Sequence, residues 1–431
     1  MTATPELSFE SHALPNGLRV VLHPDRSLPL VTVNLWYHVG SKNEQPGRTG
    51  LAHLFEHMLF QGSANVPTNG HFRFVQQVGG VANGSTSHDR TNYYETLPSA
   101  HLDLGLWLES DRMGFLLPAL TQENLDTQRD VVVNERRQRI ENQPYGQASE
   151  RLYALLYPPE HPYSWPVIGT LEDIAAANIE GVRAFFRTYY APNNAVLTIA
   201  GDFEPAEALE RAEAWFGEIP RGEAIPPVVL PGLADGRRPE RPEEERREVF
   251  ADAVLMPRIY IAYATPPYGS REWYVADLLS SLLTGGKSSL LYSDLIYDRQ
   301  IAQEAGAWVH LGEAAGTFTL VATARPGVAP EEIEARLGGH LERIAAGKVD
   351  AQALERARKR ALTDYFGNLQ RLDMRADLLA RLTTFFGDPG GVARESEAYS
   401  TISAEEISQF VATWCRPVDR ASLWIVPKDA A

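Results

Sequence analysis

Apolar and polar positions change rhythm along this chain, and the rhythm predicts its elements. Residues 31–40, Val31-Thr32-Val33-Asn34-Leu35-Trp36-Tyr37-His38-Val39-Gly40, alternate as a strand with one buried face should. Residues 17–23 follow the turn pair Asn16-Gly17 and predict another strand, and the unbroken apolar run 195–201 predicts a buried one. Residues 81–89 lead into 91–96 as a hairpin-like pair rich in Ser, Thr and Tyr. Helical spacing appears in 50–60, where Leu51, Leu54, Phe55, Met58 and Leu59 form an apolar frame, and again in 72–78, 102–113 and 205–216. Residues 121–141 read as one long helix with Thr121 as N-cap and Val131, Val132 and Val133 toward the core. Two more helices fit within 167–190. From 220 to 247 the periodicity stops, and six prolines with a dense charge run predict a linker.

The second half repeats the first. Phe185-Phe186-Arg187-Thr188-Tyr189-Tyr190-Ala191-Pro192 matches Phe410-Val411-Ala412-Thr413-Trp414-Cys415-Arg416-Pro417, strand 32–40 matches one starting at Arg258, and Met58-Leu59-Phe60-Gln61-Gly62 lies over Leu282-Leu283-Thr284-Gly285-Gly286, all at offsets of 224–226 residues. A constant offset indicates a duplicated domain. The expected fold is therefore α+β: two homologous domains, each a mostly antiparallel sheet flanked by helices, at 1–222 and 243–431 with a linker at 223–242. The repeat aligns His53, Glu56 and His57 with Asp277, Ser280 and Ser281. The second copy keeps the helix without those side chains, and its expected role is the other wall of a site.

Composition narrows the function. A hydrophobic content of 44% over 431 residues supports sizeable cores. The net charge of −16 argues against nucleic acid as a partner, since phosphate binding needs clustered Lys and Arg. The single cysteine, Cys415, excludes an internal disulfide and a cysteine-based zinc cluster. No apolar run approaches a membrane span, and the first residues carry no basic or apolar leader pattern. The chain as it stands is expected in the cytoplasm, with the periplasm open if a signal peptide was removed.

Candidate chemistry sits on the apolar frame at 50–60. His53 and His57 are four residues apart, which on a helix places both imidazoles on one face within reach of one metal ion. Glu56 lies near the same face, beside a metal and able to act as a base. His-x-x-Glu-His is the inverted form of the zinc-protease signature. Catalytic zinc takes three protein ligands. Without cysteine partners, the best third candidate is Glu135, 78 residues after His57 on the long helix and directly after the valine run.

The run His53-Leu54-Phe55-Glu56-His57-Met58-Leu59-Phe60-Gln61-Gly62, with Val132-Val133-Asn134-Glu135, resembles the pitrilysin and insulinase family of zinc peptidases. The closer resemblance is to the processing-peptidase-like branch, whose subunits are near this chain's 47.8 kDa. The resemblance spans nearly the whole chain, including Leu283-Thr284-Gly285-Gly286-Lys287-Ser288-Ser289. It implies half of a clamshell, one Zn2+ per chain on His53, His57 and Glu135, and Glu56 as the general base that activates water for peptide hydrolysis. Two departures stand out. Gln128 occupies the position, two turns before Glu135, where the family often carries a supporting glutamate, and Tyr297 and Gln303 stand where an Arg and a Tyr would steady the substrate carbonyl. The resemblance thus implies a homologous partner subunit supplying that Arg and Tyr, as a heterodimer, or a homodimer. An extended peptide substrate would pair with the edge strand around Asn83, Gly84 and Ser85. Gly285-Gly286-Lys287-Ser288 lacks the first glycine of a phosphate loop, because Ser281 occupies that place. A zinc endopeptidase is the expected function; a non-catalytic scaffold subunit and a peptide-binding clamshell are the alternatives.

Overall fold

The first sheet contains β1 (Glu10–Ala13), β2 (Arg19–Pro24), β3 (Leu30–Tyr37), β4 (Val81–Thr86), β5 (Thr91–Pro98) and β6 (Ala195–Gly201) in the order β1-β2-β6-β3-β5-β4. β2 and β6 run parallel; every other neighbouring pair is antiparallel. The computed structural model describes residues 7–229 and 246–428, so residues 230–242 of the expected linker lie outside the described residues.

Side chains alternate across a strand, and here both faces are covered. On one face Val20, Leu22, Leu35, Tyr37, Leu197 and Ile199 join the main core. That core also takes in residues of α1 (Leu51–Met58), α2 (Gly70–Gln77), α3 (Leu102–Ala119) and α4 (Gln122–Arg136). On the other face Val21, Trp36 and Val196 pack against Leu379 and Ala380 of the helix Leu372–Phe386. β3 is therefore not half-buried, as its alternation predicts. Its polar positions Thr32 and Asn34 are also buried, beneath a helix that arrives more than 300 residues later. They are satisfied laterally: Thr32 Oγ1 lies 2.8 Å from Thr96 Oγ1, and Asn92 Nδ2 donates to Asn34 Oδ1 at 3.2 Å.

Thr121 caps α4, its hydroxyl accepting from the amide of Asn124 at 3.2 Å. The α-helix ends at Arg136 and continues as a π-turn over Arg137–Glu141. Of the three valines only Val132 is buried, and Val131 is exposed. Successive helical residues are about 100° apart and cannot share one face.

The same core holds His71 on α2. Burial, with Arg112 as a smaller cause, depresses its pKa from 6.5 to about 2. The neutral ring is therefore kept in the folded state while the unfolded chain takes up a proton below pH 6.5. His71's contribution to stability is complete above that pH and declines as pH falls toward 2. Unfolding free energy is expected to drop by up to about 2 kcal/mol from His71 alone between pH 6.5 and 5. Denaturant titrations at the two pH values should show a correspondingly smaller drop for His71→Leu, and an unchanged drop would refute the assignment.

A second sheet contains β7 (Arg246–Asp252), β8 (Arg258–Thr265), β9 (Ala302–His310), β10 (Gly316–Ala324) and β11 (Ala421–Pro427), ordered β7-β11-β8-β10-β9. It repeats the order β2-β6-β3-β5-β4 with the same directions, including one parallel pair, β7 with β11. The chain is thus two homologous α+β folds, each a mostly antiparallel sheet flanked by helices. Packing units do not simply follow chain order. The first comprises Met1–Arg136, Pro166–Val228 and Gly367–Ala393; the second comprises Arg137–Trp165, Val229–Phe366 and Arg394–Ala431. The helix Ala148–Leu156 accordingly packs on β11 and β8, within the second unit. Among the described residues no helix is long and apolar enough to cross a membrane.

Candidate metal centre

α1 buries Ala52, Leu54, Phe55 and Met58, which turns His53 and His57 to the opposite side. Their rings meet edge to face with centroids 4.8 Å apart. α4 packs against α1 and buries Leu125, Gln128 and Val132, and the same face ends at Glu135. Glu135 Oε2 lies 3.0 Å from His57 Nε2 and 3.8 Å from His53 Nε2. One ligand atom from each of the three residues lies within 4.8 Å of the others.

The donor set fits zinc. Bonds of about 2.0–2.1 Å in a tetrahedron place ligand atoms roughly 3.3 Å apart, and the two histidine–glutamate distances bracket that value. Two neutral imidazoles and one carboxylate also match a borderline-soft dication. All three residues of the triad are partly accessible to solvent.

Glu56 stands outside the triad. Its Oε2 accepts a hydrogen bond of 2.7 Å from Thr86 Oγ1, at the end of β4. Burial raises its pKa above the ordinary carboxylate value, against the opposing effects of the Thr86 hydroxyl, His57 and Arg90. One carboxylate oxygen is thus tethered to the sheet edge.

Among the described residues β4 is an edge strand, paired in the sheet with β5 alone. Asn83 is exposed on it, and its Oδ1 accepts from the amide of Gly84 at 2.9 Å. A Cβ at Gly84 would meet the Phe60 ring at 2.9 Å, which explains glycine there. Ser85 is fixed rather than free: its hydroxyl donates to Asn92 Oδ1, and the Arg90 guanidinium donates to its carbonyl at 2.7 Å. Gln128 is buried two turns before Glu135 on the same helix.

The second unit is wired differently at the matching positions. Asp277 accepts from the Tyr399 hydroxyl at 2.7 Å, and Ser280 donates to the Asp277 carbonyl. Tyr297 is exposed in the turn Tyr292–Asp298, and Gln303 is exposed on the edge strand β9.

Three groups that order this region were not singled out from sequence. Thr86 reads as an ordinary strand threonine until the fold sets β4 beside α1. Glu44 sits in the Gly- and Pro-punctuated loop before the motif, and its carboxylate accepts from the amides of Gly50 and Ala52. Asp173, more than a hundred residues on, accepts from both the amide and the hydroxyl of Thr49. A carboxylate six residues before a glycine N-cap was the one local signal available for Glu44.

Known proteins are similar to this chain over most of its length. The model for insulinase, peptidase family M16, matches residues 19–165, and the model for the peptidase M16 inactive domain matches 176–361. Zinc protease PqqE of Helicobacter pylori is 30% identical over 374 residues, covering 86% of this chain and 82% of that protein. The mitochondrial-processing peptidase subunit beta of Blastocladiella emersonii is 28% identical over 222 residues, covering 51% of this chain and 46% of its own. The crystal structure of a protease from Helicobacter pylori superposes with a TM-score of 0.91 at 27% identity, covering 98% of this chain and all of that one. With two successive family models and a 30% identical relative matched over most of its length, the chain belongs to peptidase family M16, the insulinase family.

Proposed function

We propose that this chain is a zinc-dependent endopeptidase that hydrolyses peptides or unfolded protein segments. The observation that carries it is the convergence of His53, His57 and Glu135 beside a buried Glu56, next to an exposed sheet edge. His53, His57 and Glu135 hold the ion, one per chain. When bound, zinc supplies positive charge that polarises a scissile carbonyl and acidifies water. Glu56 removes the proton of the attacking water and delivers it to the leaving amine as the C–N bond breaks. Thr86 holds Glu56 Oε2, which keeps the second oxygen directed to that proton. An extended substrate adds to the edge of β4 near Asn83, Gly84 and Ser85, where backbone pairing tolerates varied side chains. Gln128 supports Glu135 without adding charge. The metal-bearing half runs over 1–222 and its ligand-free homologue over 243–431.

A homologous partner subunit supplies the Arg and Tyr that positions 297 and 303 do not; the alternative assembly is a homodimer, in which that pair stays absent. The test is zinc analysis together with cleavage of a quenched peptide, alone and with such a partner. Near-stoichiometric zinc and cleavage in at least one mixture are expected. Zinc without cleavage in either mixture would favour a scaffold or peptide-binding subunit instead.

A further inference from the structure

The start of α1 is capped from a distance, and the reason is steric. Its N-cap residue is Gly50, with φ +88°, where a Cβ would lie 2.6 Å from the carbonyl oxygen of Ile168. The Ser, Thr, Asp or Asn that ordinarily caps a helix would be strained and crowded there. Gly169, also at positive φ, leaves the same room from the other side: a Cβ on it would meet Gly50 Cα at 2.6 Å. The cap is supplied by Glu44 instead. Its Oε2 accepts from the Gly50 amide and its Oε1 from the Ala52 amide, both at 2.8 Å, with the side chain almost wholly buried. The matching helix of the second unit, Arg271–Thr284, which carries no histidine at the aligned positions, uses an adjacent side chain: Ser270 Oγ accepts from the Trp273 amide at 3.2 Å.

Two consequences follow for the metal. The Ala52 amide belongs to the residue before His53, so the carboxylate fixes the backbone that carries the first ligand. His57 follows one turn later on the same short helix. The exposed amides of a helix N-terminus also carry partial positive charge, which opposes a dication held by a first-turn residue. Burial pushes the Glu44 carboxyl well above the ordinary carboxylate range, the hydrogen bonds from the Ala52 and Gly50 amides oppose that rise, and both oxygens accept from those amides whatever the charge.

We propose that Glu44 is a positioning residue of the metal centre, holding the first turn of α1 in its metal-binding placement before zinc arrives. The proposal rests on His53, His57 and Glu135 being the zinc ligands. Its test uses the full chain and Glu44→Gln, which is nearly isosteric but replaces one of the two acceptor oxygens with an N–H donor. Zinc affinity is read by competition with a chelator, site geometry by the visible spectrum of the cobalt-loaded protein, and stability by melting of the metal-free form. Glu44→Gln is expected to bind zinc roughly 10–100-fold more weakly, with a changed cobalt spectrum and a metal-free melting temperature only a few degrees lower, the cost of one lost cap hydrogen bond. Asp173→Asn loosens the neighbouring Thr49 without touching the α1 amides and is expected to keep most of the affinity. Equal affinity in Glu44→Gln and the native chain, or an equal loss in Asp173→Asn, overturns the proposal. If Glu44→Gln does not fold, amide exchange of the native protein decides. Protection of the Gly50 and Ala52 amides before zinc is added supports pre-positioning, and free exchange until zinc is added overturns it. Failure of the native chain to bind zinc removes the ligand assignment itself, a result distinct from equal binding by both proteins.

Discussion

Glu56→Gln is expected to leave zinc content unchanged and to lower peptide hydrolysis by roughly 10²–10⁴-fold, the usual contribution of a positioned general base. The two halves of this expectation have separate origins. Zinc is retained because Glu56 is outside the His53, His57 and Glu135 cluster, and the amide side chain has nearly the same size. Its carbonyl oxygen still accepts from Thr86, so the side chain stays in place. Turnover falls because a carboxamide has no lone pair basic enough to take a proton from water near neutral pH. The paired measurement is metal analysis and quenched-peptide cleavage on the same preparation, under the condition in which the native chain is active. Full turnover with full zinc would remove Glu56 from the role of base. Loss of both zinc and turnover would mean that the substitution disturbed the ligands.

Local periodicity made much of this legible in the sequence. The pair His53 and His57 can be read because about four residues make one helical turn, and the strands because successive side chains point to opposite faces. The duplication was visible as a constant offset, and the two sheets repeat one strand order. What could not be read depends on distant chain. Thr32 and Asn34 look like solvent positions on β3 until the helix Leu372–Phe386 covers them. The three consecutive valines differ for another reason: neighbours on a helix are rotated by about 100°, so Val132 is buried, Val133 packs partly against the core and Val131 is exposed. Position and family likeness single out Glu135 among the glutamates on its helix, and its packed distance from the two histidines is a tertiary fact. Glu44 and Thr86 carry no motif at all. Their importance comes from where the loop and the sheet edge bring them, on either end of α1.

Removing one ligand should be visible without any substrate. A ligand that binds the native state and not the unfolded one stabilises it by about 4.1 kcal/mol when present at a thousandfold its Kd. For a unit of 150–250 residues each kcal/mol moves the melting temperature by about 2–4 °C, so saturating zinc is expected to raise it by roughly 8–16 °C over the chelator-treated protein. His57→Ala should abolish most of that rise. It leaves two donors, and Glu135 loses the imidazole that stands 3.0 Å from it. The metal-free proteins should differ much less, because His57 is partly exposed and contributes little to the core. Asp277→Asn supplies the control. This residue stands at the position of the second copy that matches His53 and is held by Tyr399, so its substitution should leave the zinc-dependent shift intact. A shift that survives in His57→Ala and disappears in Asp277→Asn would place the ion on the other half of the chain. No shift in the native protein would leave the three converging side chains without a metal to explain them.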